Sequence, residues 1–65
     1  MARNEVCAVT KGNTRICVYQ DEKGRCFPKA TGSISRELQA AIDQYQAISV
    51  NPTWLLSQLT KLIKD

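Results

Sequence analysis

Three cysteines, Cys7, Cys17 and Cys26, are the residues best able to do chemistry in this 65-residue chain. Their spacings are 10 and 9, and the sequence contains no histidine. A structural zinc site needs four thiolate, imidazole or carboxylate ligands, commonly as closely spaced pairs. Here there is no such pair, so no metal is expected. A cysteine or serine nucleophile needs a neighbouring base, and without histidine the usual one is missing. The adjacent carboxylates Asp21 and Glu22 fall in a turn signal, where solvation is the expected state. The three glycines are isolated turn residues rather than a phosphate-cradling loop. The expectation is a protein that is not an enzyme and has no cofactor. An odd number of thiols reads as reduced cysteines packed as small hydrophobes.

The charged residues say more. The net charge is +3, and it is uneven: residues 1–36 hold seven cations against three carboxylates, the remainder two against three. Lys11, Arg15, Lys23, Arg25 and Lys29 all fall in the segment CAVTKGNTRICVYQDEKGRCFPK, interleaved with Tyr19 and Phe27. Cations that neutralise phosphates beside rings that stack on bases are one way to hold nucleic acid. Lys11, Arg15, Lys23, Arg25, Lys29 and Tyr19 are therefore the predicted nucleic-acid-binding set, with DNA the preferred target. The alternative is a protein-binding inhibitor or adaptor of phage or plasmid type. It would dock through Tyr19 and the C-terminal helix, with Trp54, Leu55, Leu59 and Ile63 as anchors, Trp being a favoured interface residue.

These side chains need a scaffold. EVCAVTK and TRICVYQ are rich in β-branched and aromatic residues and flank Gly12-Asn13, a pair suited to a type II′ hairpin turn. Asp21-Glu22-Lys23-Gly24 marks a second turn into Arg25-Cys26-Phe27, and Pro28 confines that third strand to an edge. If Lys11 pairs with Thr14 and Gln20 with Arg25, one face is Cys7, Val9, Ile16, Val18 and Phe27, the predicted core. The other is Val6, Ala8, Thr10, Arg15, Cys17, Tyr19 and Cys26, which makes Cys17 and Cys26 diagonal neighbours. Residues 28–32 read as a connector. Ser33 or Ser35 can cap a first helix carrying Ile34, Leu38, Ala41, Ile42, Tyr45 and Ile48 at helical spacing. Asn51-Pro52 starts a second helix with Leu55, Leu56, Leu59, Leu62 and Ile63 along one side and Lys61 and Lys64 near its end.

The predicted fold class is α+β, a three-stranded antiparallel meander followed by a helical hairpin in one small domain. The meander occupies 1–28, the first helix 33–49 and the second 51–64. A chain this short buries only about 60% of its unfolded surface. With a second sheet face too apolar for water, that predicts a homodimer. No apolar run approaches the ~18 residues of a membrane span, and MARNEVCAV lacks a long apolar stretch, so a cytoplasmic location and no membrane partner are expected. The order strand, helix, loop, helix in GRCFPKATGSISRELQAAIDQYQ and NPTWLLSQLTKLIKD resembles ribbon-helix-helix repressors. EKGRCFPKA resembles the Gly-Arg turn of swapped-hairpin bacterial regulators. The preceding hairpin and Pro28 depart from the first pattern and the rest of the chain from the second, so no family is assigned.

Overall fold

The computed structural model describes residues 3–63. Three strands, β1 (Asn4–Lys11), β2 (Thr14–Gln20) and β3 (Cys26–Gly32), are followed by α1 (Arg36–Gln44) and α2 (Pro52–Thr60). The strands form one antiparallel sheet in the order β1-β2-β3. The α+β meander is the predicted one.

The first hairpin follows its turn. Gly12 takes φ 59° while Asn13 keeps a negative φ, as a type II′ turn requires. Lys11 then pairs with Thr14, Val9 with Ile16 and Cys7 with Val18, as predicted. A bulge leaves Val6 without a partner between Glu5, opposite Tyr19, and Cys7.

The second hairpin corrects the expected register by one residue. Gln20 pairs with Cys26, Tyr19 with Phe27 and Val18 with Pro28. The cause is Gly24. The Gly24 N–H bonds the Asp21 carbonyl, closing a type I turn, and Gly24 itself takes φ 81° before the Asp21 N–H reaches the Arg25 carbonyl. That is a three-residue loop with a left-handed glycine, one residue longer than a plain two-residue turn. Because side chains alternate, the slip exchanges faces. Cys26 points inward and is fully buried, whereas Phe27 stands with Tyr19 on the outward side.

Residues 28–32 belong to β3 rather than to a connector. Pro28 is tolerated because its strand is an edge. Its carbonyl points away from β2 to accept from Gln46 Nε2 at 2.8 Å, and a residue's N–H and C=O share a side, so the absent N–H also lies outside. The same edge is closed at Cys26, whose N–H and C=O both bond Ile48. At the far end, Gly32 (φ 90°) packs on the turn: a Cβ there would lie 1.9 Å from the Asn13 carbonyl oxygen.

Both helices lie to one side. α2 packs against β1 and β2, and α1 against β3. The core is Ile16, Val18 and Cys26 from the sheet with Leu38 and Ile42 from α1, Leu55 and Leu59 from α2, and Ile63. Ser35, not Ser33, caps α1, its Oγ accepting from the Leu38 N–H at 3.2 Å. The helix is shorter than the predicted 33–49: it ends at Gln44, Ala47 turns left-handed (φ 58°), and Ile48 bridges to Cys26. Asn51 caps α2 by accepting from the Trp54 N–H at 3.0 Å, with Pro52 in the first turn as predicted. α2 stops at Thr60 rather than running to 64; Lys61 is its C-cap, and Lys64 lies outside the described residues. Among the described residues, no helix is long and apolar enough to cross a membrane.

Candidate nucleic-acid interface

With the helices on one side, the outward side chains form rows across the strands: Thr10, Arg15 and Thr31, then Ala8, Cys17 and Lys29, then Glu5, Tyr19 and Phe27. Arg15 and Lys29 are exposed, Tyr19 is half-buried, and Phe27 is only 8% exposed although it belongs to this side. Arg3 accounts for part of that cover, its guanidinium carbon lying 3.7 Å from the centroid of the Phe27 ring; Arg25 approaches the same ring at 6.0 Å. Cations over an aromatic face are held by the ring quadrupole.

Two of the predicted phosphate ligands already have carboxylate partners. Arg15 donates to Glu5 at 3.4 Å across the Cys17 position, with both side chains well exposed. Such surface pairs are weak. Arg25 is held more firmly: its Nε and one terminal nitrogen each lie 2.8 Å from Asp21 Oδ2, while Asp21 Oδ1 accepts from the Lys23 and Arg25 N–H groups. Partial desolvation pushes the Asp21 carboxyl up, but these Arg25 and Lys23 hydrogen bonds and charges outweigh it and hold it below its ordinary 3.8. Arg25 is thus part of the loop's own structure. Lys23 stands exposed at the tip of that loop, whereas Lys11, the last residue of β1, pairs with Thr14 and so falls on the same helix side of the sheet as Cys7 and Val9, apart from the other predicted phosphate ligands.

The thiols do not converge. Cys7 and Cys26 face inward and Cys17 outward, which reverses the predicted pairing of faces for Cys26. The Cys26 thiol lies 3.2 Å from the Val50 carbonyl and that of Cys7 3.5 Å from the Pro52 carbonyl, so both contact the start of α2. Burial pushes the Cys7 thiol up, with the neighbouring Cys26, Glu5 and Cys17 adding to it. Cys17 is pushed up by burial and by Glu5 against an opposing pull from Arg15. Raised thiols are poor nucleophiles and poor metal ligands at neutral pH.

A groove of about 620 Å³ runs along the outer edge of β3, with α1 as its second wall. Tyr19, Phe27, Lys29 and Arg3 line the sheet side, and Gln39, Asp43 and Gln46 the helix side. Only Tyr19 and Lys29 of these were predicted. Phe27 could have been found by reading Gly24 as a left-handed residue; the α1 polar residues carry no signal beyond their helical spacing from Ile42.

The alternative docking set is divided. Leu55 and Leu59 are fully buried and Ile63 is 7% exposed, so these are core side chains. Trp54 is 47% exposed and meets Tyr45 edge-on, ring centroids 6.3 Å apart, which ties α2 to the end of α1. Comparison with protein-family models, curated proteins and solved structures finds no match.

Proposed function

We propose that this protein is a small non-enzymatic regulator that binds single-stranded nucleic acid, with DNA the preferred form, on the outward face of its sheet. The carrying observation is that face itself: both helices lie on the opposite side, and Arg15, Tyr19, Phe27 and Lys29 stand on adjacent outward positions with Arg3 above them. The half-buried Tyr19 ring needs an unpaired base to stack on, which favours a single strand over a duplex; Phe27, 8% exposed, lies beneath Arg3. Lys23 extends the cationic track past one end of β2, whereas Lys11, opposite the buried Thr14, stands on the helix side of the sheet and adds nothing to this face. The protein-docking alternative is left with Tyr19 and Trp54, because Leu55, Leu59 and Ile63 are spent on the core.

We read the assembled form as a cytoplasmic homodimer. The support is the contrast between sheet edges: β3 is closed by Ile48 and Gln46, whereas β1, exposed along most of its length, ends the sheet on the other side.

A salt titration of oligonucleotide affinity tests the reading. Single-strand binding loses affinity with a log–log slope of about −0.7 per phosphate neutralised. Replacing Arg15 by Gln and Lys29 by Glu leaves the core and the Asp21 loop untouched. The slope should flatten by about 1.4 and affinity should fall at every salt concentration. An unchanged slope in a folded double variant would end the proposal.

A further inference from the structure

The two walls of the β3–α1 groove have opposite chemistry. On the sheet side stand a cross-strand aromatic pair, Tyr19 and Phe27, and two cations, Arg3 and Lys29. On the helix side, the donors are largely spent within the protein. Gln46 uses its side-chain nitrogen on two carbonyls, Pro28 at 2.8 Å and Ile42 at 3.1 Å, which consumes both of its hydrogens. Gln39 donates to Asp43 Oδ1 at 3.1 Å. Among the described residues, what the helix wall has left is mostly acceptors: the amide oxygens of Gln46 and Gln39 and the second carboxylate oxygen of Asp43.

A wall of acceptors selects a ligand edge made of donors. Among the nucleobases, guanine alone presents two adjacent donors, N1–H and the N2 amino group, on its Watson–Crick edge. Adenine and cytosine set their amino group beside an acceptor nitrogen, and thymine flanks a lone N–H with two carbonyls. The groove volume of about 620 Å³ lies in the range of small-ligand pockets. We propose that this groove is a guanine subsite. One guanine splayed from the bound strand stacks on the Tyr19–Phe27 pair, its N1–H and N2 amino group donate to Asp43 and the neighbouring amide oxygens, and Arg3 and Lys29 take the flanking phosphates. The Arg3 guanidinium occupies the face of Phe27 in the free protein and moves to phosphate as the base arrives. This inference rests on the single-strand reading above and adds a base preference to it.

Anisotropy of labelled oligo-dT, with and without one central dG, tests it at fixed ionic strength. The wild-type chain should bind the dG oligonucleotide roughly tenfold more tightly, in line with one bidentate base contact. Asp43→Asn, at an exposed helix position, should bring the two affinities within about twofold of each other, whatever the change in overall strand affinity from the lost carboxylate charge. Equal wild-type affinity for the two oligonucleotides overturns the guanine subsite and leaves single-strand binding standing. A preference that survives Asp43→Asn overturns the assignment to this groove. Failure to bind either oligonucleotide overturns the subsite and the single-strand reading together.

Discussion

Gly24 and Gly32 both hold left-handed backbone, at φ 81° and 90°, yet only one is crowded. A side chain at Gly24 meets nothing within 4 Å, whereas one at Gly32 would strike the Asn13 carbonyl oxygen at 1.9 Å, and backbone cannot swing aside. Left-handed backbone alone costs an ordinary residue roughly 1–2 kcal/mol. Gly24→Ala should therefore lower the melting temperature by roughly 9 °C, given some 4–8 °C per kcal/mol for a domain of this size. Gly32→Ala should exceed that by at least twofold, because the turn it leans on must also move. Thermal unfolding followed by circular dichroism reads both. Asp21 supplies a pH test. Its carboxyl titrates below 3.8 in the folded chain, so its contribution is fully present above that value and is lost as pH falls through the lower folded value. Asp21→Asn should be less stable than the wild type at neutral pH and should lose less on acidification, bringing the two curves together. Parallel curves would mean that the Asp21–Arg25 pair adds nothing.

At the scale of elements, local turn chemistry decided what could be read from the chain. Gly12-Asn13 allows one two-residue turn, and the register of β1 against β2 follows from it. Asp21 to Gly24 allows two, differing only in whether Gly24 is the last turn residue or an added left-handed one. That difference placed Cys26 in the core and Phe27 on the outward side. The apolar stripe through Ile48 continues the period of α1, but Ala47 breaks the helix and Ile48 satisfies the edge of β3 instead; a tertiary hydrogen-bond pair overrode a local pattern. The start of α2 was legible because Asn-Pro is strong cap chemistry. An isolated nine-residue helix is marginal in water, so its cap matters. Asn51→Ala should destabilise the fold by about 1 kcal/mol, Asn51→Gly by only a few tenths, and Asn51→Asp hardly at all. Urea unfolding at a constant m-value measures the series, and a large loss in the Asp variant would show that Asn51 does more than accept the Trp54 N–H.

At the scale of the molecule, the two sides of the sheet differ, and β1 is the edge through which we propose that copies meet. The inward side is closed by helices from the same chain, so one copy completes a core. Both helices lie away from the outward side, and pairing through β1 would extend that surface across two copies without covering it. Val6 marks this edge: the bulge leaves it unpartnered and it is 45% exposed. Edges are kept single by lysines and by bulges; β1 has one lysine, Lys11, at its far end and the bulge at Val6, and its five residues from Cys7 to Lys11 run regularly between them. Sedimentation at on the order of tens of micromolar should find a dimer for the wild-type chain, and Val6→Lys should shift it to monomer with an unchanged circular dichroism spectrum. The two forms also separate assembly from binding. If β1 joins the copies, Val6→Lys should weaken binding to a long oligonucleotide that spans both outward faces while leaving a short one unaffected, since only the long strand gains from two linked sites. A folded wild-type monomer at that concentration would remove the dimer and leave the single-face reading to stand by itself.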